Sequence, residues 1–242
     1  MNILAIIPAR GGSKGLPDKN ILPLLGHPLI SYSVKAAQNS KYINRVIVST
    51  DSERIAEAGR SYGAEIPFMR PAEYAQDLST DLEVFQHALN WLKEHENYIP
   101  DYVIQLRPTS PVRQANLIDA CIERMLNNKE ADSLRIVTPS PITPYKMWTL
   151  TDEEHPMSPL LSIIGVNEPY NEPRQRLPQT YWQIGTLDVI RPHVITEQHS
   201  MSGNVIMPYI VDNIFAIDID ELSSFQKAEE VILKYDCVKF DA

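Results

Sequence analysis

The chain is poor in cysteine, has no long apolar run and is short of positive charge. Its two cysteines, Cys121 and Cys237, stand far apart in 242 residues and belong to no CxxC pair or Cys/His cluster. That excludes a disulfide framework and a zinc site of the usual spacing. The apolar stretch Ile3-Leu4-Ala5-Ile6-Ile7 stops at Pro8 and meets Arg10, too soon for a signal-peptide core and far too soon for a membrane span. The expectation is a soluble, cytoplasmic protein with reduced thiols. Lys and Arg number 22 against 31 Asp and Glu, a formal net charge of -9. Nucleic acid and anionic membranes are therefore repelled on average, and a phosphate ligand needs a local positive site. Internal repeats and low-complexity tracts are also missing. With 43% hydrophobic and 22% charged residues and 19 scattered prolines, the composition is that of an ordinary globular protein. At about 150 residues per domain, the length fits one large α/β domain.

Short runs rich in Ile and Val, at Ile3 to Ile7, Val46 to Ser49, Tyr102 to Leu106, Leu134 to Val137 and Ile214 to Ile219, predict strands covered on both faces. Between the first two, Leu29, Ile30, Tyr32, Val34, Ala36 and Ala37 have helical spacing, and Pro28 suits the first helical position. Asp51 and Ser52 are N-cap candidates for a helix through Ile55, Ala56 and Ala58 that stops at Gly63. Further helices are predicted over Leu82 to His95, over Asn116 to Asn127, and where Phe225, Ala228, Val231, Ile232 and Tyr235 share a face. Strand and helix units in succession predict right-handed crossovers and a mostly parallel, Rossmann-like sheet. The proline-rich stretch from Pro139 to Pro178 lacks periodicity and reads as an excursion from that sheet, of a kind that covers active sites or binds partner subunits.

The first strand runs into Pro8-Ala9-Arg10-Gly11-Gly12-Ser13-Lys14-Gly15-Leu16-Pro17-Asp18-Lys19-Asn20. Glycines let backbone N–H groups turn toward an anion, and Arg10, Lys14 and Lys19 neutralise it. This is a phosphate loop of neither common type. A dinucleotide fingerprint needs glycine where Arg10 stands, and a Walker A loop needs Lys-Ser/Thr after Gly15, where Leu16 stands. The plain alternative is a glycine-rich turn with solvated lysines.

Asp218 and Asp220 alternate about Ile219, so on a strand both carboxylates face one side. Magnesium is the natural cation to join them, because it accepts one or two carboxylates and completes its shell with waters and substrate phosphates. The alternative is a pair of N-caps for the last helix, and for Asp220 both roles are compatible. The six His are scattered, and no Ser/His/Asp or Cys/His constellation stands out.

The loop resembles the signature of the acylneuraminate cytidylyltransferases, or CMP-sialic acid synthetases. Arg70-Pro71-Ala72-Glu73 with Asp77, Arg107-Pro108-Thr109-Ser110-Pro111, Pro144-Tyr145-Lys146, Arg174-Gln175 and Asp218-Ile219-Asp220 follow in the family's order along nearly the whole chain. The resemblance implies a three-layer α/β/α nucleotidyltransferase fold in a single domain over residues 1–242, with about 140–185 as a dimerisation and acceptor-site excursion. It implies transfer of CMP from CTP to the anomeric hydroxyl of an acidic nine-carbon sugar, with pyrophosphate released, by a magnesium-dependent homodimer. By the same resemblance Lys14, Arg10 and Lys19 are catalytic. Gly11, Gly12, Ser13, Asn20, Arg70 and Thr80 bind the nucleotide, Arg107, Lys146, Arg174 and Gln175 bind the sugar, and Asp218 and Asp220 hold the metal. The nucleotide-contacting Ser or Thr of the family is matched by Asp81, with Ser79 and Thr80 close by.

Members that use N-acetylneuraminate often carry Gln where Arg107 stands. They also carry an Asn-Gly-Ala-Ile-Tyr-like run where this chain has Gln183-Ile184-Gly185-Thr186-Leu187-Asp188. The acceptor therefore stays open among legionaminate, pseudaminate, ketodeoxynonulosonate and 8-amino-octulosonate types, and a related enzyme can use another nucleotide such as GTP. A sugar phosphate as acceptor fits the same loop and metal logic, and a non-catalytic nucleotide-binding regulator would share the fold.

Overall fold

Ile3, Ala5 and Ile7 point to one side of strand β1 (Ile3–Pro8), Leu4 and Ile6 point to the other, and all five are fully buried. A strand covered on both faces needs a helical layer on each. The computed structural model of the chain, which describes residues 1–240, supplies both layers. The Ile3 side packs on α1 (Leu29–Asn39) through Ile30, Val34 and Ala37, on α2 (Glu53–Ser61) through Ile55, and on α4 (Leu117–Leu126) through Ile118, Cys121 and Ile122. The Leu4 side packs on α3 (Asp81–Glu96) through Val84, Phe85, Ala88 and Leu92, and on the short α5 (Pro192–Thr196) through Val194 and Ile195. Each fully buried Ile or Leu contributes roughly 1.5–3 kcal/mol, so the alternation along one strand commits the chain to three layers.

Six strands form the sheet, in the order β6-β4-β5-β3-β1-β2. Strands β1, β2 (Arg45–Ser49), β3 (Tyr102–Gln105), β4 (Ser133–Pro139) and β6 (Ile206–Ile210) run in one direction, and β5 (Tyr181–Ile190) runs against both its neighbours. The fold is thus the expected mostly parallel, three-layer α/β/α type. Strand β2 lies on one side of β1 and β3 on the other, so the chain reverses direction across the sheet at β1. The crevice beyond the carboxyl ends of strands at such a point is where α/β folds bind ligands.

Several expectations are corrected. Ile214 to Ile219 is not a strand. Asp212 accepts a hydrogen bond from Ile214 N (2.9 Å) and turns Asn213–Phe215 into a short 3-10 helix. The chain then runs extended, held where Ile219 N donates to Thr109 O (2.7 Å). The sheet edge belongs instead to β6, which tolerates Pro208 because an edge strand has one free side. Pro28 is the N-cap of α1 and not its first residue. Helix α6 (Leu222–Lys234) is capped by Glu221, which shares a capping box with Ser224, so Asp220 is not its N-cap and Tyr235 follows its end. The excursion closes earlier than 185: Tyr181 pairs with Pro139 across β5 and β4, so residues 140–180 form the loop and Tyr181 to Gly185 belong to the sheet. Gly63 does end α2, at φ +86°. Among the described residues no helix is long and apolar enough to cross a membrane.

Candidate functional site

A cleft of about 530 Å³ opens beyond the carboxyl ends of β1 and β3. Its walls are the loop after β1, the segment between Arg70 and Asp81, the loop after β3 from Arg107 to Thr109, and Asp220. Arg10, Ser13, Lys14, Lys19, Asn20, Arg70, Arg107 and Asp220 all line it, so most residues singled out from sequence converge on one space.

The glycines shape the loop by close approach. A Cβ on Gly11 would lie 3.0 Å from Ser52 Cβ, and one on Gly15 would lie 3.1 Å from the Asp220 carbonyl oxygen. Side chains there would force the loop off α2 and off the Asp220 segment. Gly11 N donates to Asp51 Oδ1 (2.9 Å), so this amide is turned away from the cleft, and neither Gly11 nor Gly12 lines it. Asn20 is buried and donates to Arg10 O (3.0 Å), tying the two ends of the loop together.

Carboxylates of the chain itself meet the loop cations. Asp77 accepts from Arg10 (2.9 Å) and pairs with Lys14, and those bonds, Lys14's first, hold its carboxyl below the usual range. Lys19 Nζ lies 2.9 Å from Asp220 Oδ1. On the opposite wall Arg70 is 5% exposed and donates through Nε to Ser49 Oγ (3.1 Å) and through Nη2 to Ser49 O. Burial pulls its guanidinium down to about 10.

Ile217 and Ile219 are buried while Asp218 and Asp220 are exposed. The alternation expected of a strand thus survives in an extended segment, and both carboxylates face solvent on one side. Asp220 lines the cleft, and Asp218 is not among its lining residues. Thr80 is engaged elsewhere: its hydroxyl caps α3, accepting from Glu83 N, while Glu83 Oε2 accepts from Thr80 N (2.7 Å). Its neighbours Ser79 and Asp81 line the cleft instead.

The four residues assigned to the sugar are not brought together. Arg107 is in the cleft, its Nη2 donating to Asp81 Oδ2 (2.5 Å), which also accepts from Gln105 Nε2 (2.9 Å). Arg174 and Gln175 line a second cavity of about 340 Å³ within the excursion. There Arg174 donates to Ser140 O (2.6 Å) and Pro141 O (2.9 Å), bracing its own loop. Lys146 is exposed and lines neither cavity. Tyr181 and Trp182 are 47% and 41% exposed, so neither is core.

Two residues of the site region carry little signal in the sequence. Arg113 is fully buried, donating to Thr186 O (2.9 Å) and Arg107 O (2.7 Å) with no carboxylate partner among the described residues, and burial lowers it to about 9. Asp188 is buried in β5 between Leu187 and Val189; a lone acid inside an apolar run is the one sign of it.

Comparison with known proteins places the chain in a family. A profile described as Cytidylyltransferase matches residues 4–155. The pseudaminic acid cytidylyltransferase of Campylobacter jejuni is 40% identical over 129 residues, 53% of this chain and 55% of that protein. The N-acylneuraminate cytidylyltransferase of Escherichia coli is 31% identical over 240 residues, 99% of this chain and 54% of that protein. The chain thus spans about half the length of these two curated relatives. The solved structure of CMP:2-keto-3-deoxy-manno-octonic acid synthetase complexed with CTP superposes with a TM-score of 0.69 at 16% identity, over 97% of this chain and 99% of that one. It shares the fold. With the profile covering more than half of the chain and the relatives matching along its length, the chain belongs to the cytidylyltransferase family, among the relatives of the acylneuraminate enzymes.

Proposed function

We propose that the chain transfers the cytidylyl group of CTP to the anomeric hydroxyl of a sialic-acid-like nonulosonic acid and releases pyrophosphate. The observation that carries this reading is the convergence of Arg10, Lys14 and Lys19 with Asp220 in one cleft at the carboxyl ends of β1 and β3. A triphosphate needs the cations, and a chain of net charge -9 concentrates them here. Their present partners are half-exposed or exposed carboxylates, and such pairs are weak enough to exchange for phosphate oxygens. The loop then holds the triphosphate while Asn20 and the glycine contacts keep its shape. Attack on the α-phosphorus needs no covalent nucleophile from the chain, so the rate rests on orientation and on neutralising charge in the transition state.

Asp218 and Asp220 fit a magnesium ion by their chemistry, as two exposed acids on one side of an extended segment beside the phosphate loop. Among the described residues no three His, Cys, Asp or Glu side chains form a ready cage, which suits a cation that takes its remaining ligands from water and substrate phosphates. Bound there, the ion would neutralise phosphate charge and acidify the attacking hydroxyl.

Arg107, with guanidinium donors left over after Asp81, is the group in the cleft suited to the acceptor's carboxylate. The named acceptors of the relatives, pseudaminic acid and N-acylneuraminate, support an acidic nine-carbon sugar here. The excursion exposes Ile142, Leu150, Met157, Leu160, Leu161 and Ile164, each at least 42% accessible. Apolar surface of that extent supports a homodimer in which Lys146, Arg174 and Gln175 serve the partner's cleft and not their own. Both cysteines are free and buried, in keeping with a reducing cytoplasm.

The test is magnesium-dependent pyrophosphate release from CTP, with GTP in parallel, against a panel of nonulosonic and octulosonic acids and a no-sugar control. Release with CTP and one nonulosonate is expected. Release with GTP alone, or with an octulosonate alone, replaces the substrate assignment. Silence across the panel with CTP still bound overturns the reaction.

A further inference from the structure

Asp188 is 1% exposed, and among the described residues neither of its carboxylate oxygens has a hydrogen-bond partner. Buried polar groups are nearly always bonded, so an unpartnered carboxylate in the sheet asks for a reason. Two guanidiniums face it without touching. Arg107 Nη1 is 3.8 Å from Oδ2 and Arg135 Nε is 3.9 Å from Oδ1, and Arg135 Nε is itself unpartnered. Burial pushes the Asp188 carboxyl up to about 6, and the pull of Arg135 and Arg107 works against that rise.

A second, independent feature of β5 points at the same side chain. A Cβ on Gly185 would lie 3.2 Å from Arg107 Cδ and 3.4 Å from its Nη1, so β5 leaves room for this guanidinium at one position and supplies a counter-charge at another. Both follow from an irregular register: Arg135 pairs with Asp188 and Val137 with Gln183, so β5 bulges between Gln183 and Asp188. Bulges beside sites re-aim side chains. The other terminal nitrogen of Arg107, Nη2, donates to Asp81 Oδ2 (2.5 Å).

We propose that Asp188 is a positioning residue, which with Asp81 restrains the Arg107 guanidinium at its two terminal nitrogens and aims its free N–H donors at the carboxylate of the acceptor sugar. The assignment of that ligand rests on the function proposed above; the restraint of Arg107 does not.

Asp188→Asn keeps the shape and removes the charge. In acceptor-dependent pyrophosphate release, KM for the acceptor is expected to rise by about tenfold, with kcat and KM for CTP nearly unchanged. In an Arg107→Gln background the same substitution should add nothing, because the residue acts through Arg107. A readout free of turnover decides the restraint itself. In arginine-15N spectra the Arg107 Nε–H signal, assigned by its loss in Arg107→Gln, should show slow guanidinium rotation in the parent and faster rotation in Asp188→Asn. Gly185→Ala, which crowds Arg107 while keeping Asp188, should disturb the same signal and raise the same KM. Unchanged rotation in Asp188→Asn overturns the proposal, as does an acceptor KM that stays put in an active enzyme. A parent inactive with every acceptor, but whose Arg107 loosens on loss of Asp188, removes the substrate assignment and leaves the restraint standing.

Discussion

Lys19 Nζ and Asp220 Oδ1 lie 2.9 Å apart although 201 positions separate them in the chain. This contact seats Asp220 against the glycine-rich loop after β1, and Gly15 completes the fit because a side chain there would press on the Asp220 carbonyl oxygen.

Asp220 is 74% exposed at its side chain, and the helix that follows is capped by Glu221 and Ser224. Asp220→Asn should therefore abolish magnesium-dependent turnover while Tm moves by no more than about 2 °C. Lys14→Ala, at a side chain 77% exposed, should likewise cut turnover far more than Tm. Kinetics beside a thermal melt check both. A variant that melts earlier and keeps its rate makes that residue structural.

Asp77 occupies Arg10 and Lys14 in the free protein and so competes with any phosphate for them. Asp77→Asn should tighten binding of inorganic pyrophosphate a few-fold, the modest gain reflecting the weakness of exposed ion pairs. Titration calorimetry of the two proteins at one salt concentration gives the comparison. Weaker binding by the variant would show that Asp77 organises the site and does not compete for it.

Thr80 closes the capping box of α3. Thr80→Ala should cost about 1 kcal/mol, a fall in Tm of about 2–4 °C for a domain of this size, with KM for CTP unchanged if capping is its whole role. A raised KM at unchanged Tm restores the nucleotide contact implied by the family resemblance.

Asp188 also sets a pH dependence. The folded chain holds this proton more tightly than the unfolded chain does, with the carboxyl near 6 against an ordinary value near 3.8. Its contribution to stability is fully present below about pH 4 and is lost as pH rises through 6. Asp188→Asn is neutral throughout. Relative to the parent, the variant should be equally stable near pH 4 and more stable at pH 7, by on the order of 3 kcal/mol. Urea melts across that range test the sign. A variant less stable at pH 7 than its parent would show that Arg107 and Arg135 more than offset the cost of burial.

Strands β1 to β3 were legible because their buried apolar residues run consecutively, and β4 because buried Leu134 and Ile136 alternate with half-buried Arg135 and Val137. Strand β5 was not, since it opens on exposed Tyr181, Trp182 and Gln183 and carries Gly185 and Asp188. Strand β6 hid behind Pro208, which only an edge position accepts. At the site, the cations of the loop and the Asp218/Asp220 pair announced themselves by residue type and spacing. By itself the sequence determined a mostly parallel sheet covered on both faces, the cationic glycine-rich loop and the spacing of Asp218 and Asp220, because burial periodicity and local charge are properties of neighbouring residues. Only the tertiary structure decided that Asp77 and Asp220 meet the loop cations, that Arg174 braces its own excursion, and that Asp188 faces Arg107. Those pairings depend on strand order and on a bulge in β5, and no short stretch of chain encodes either.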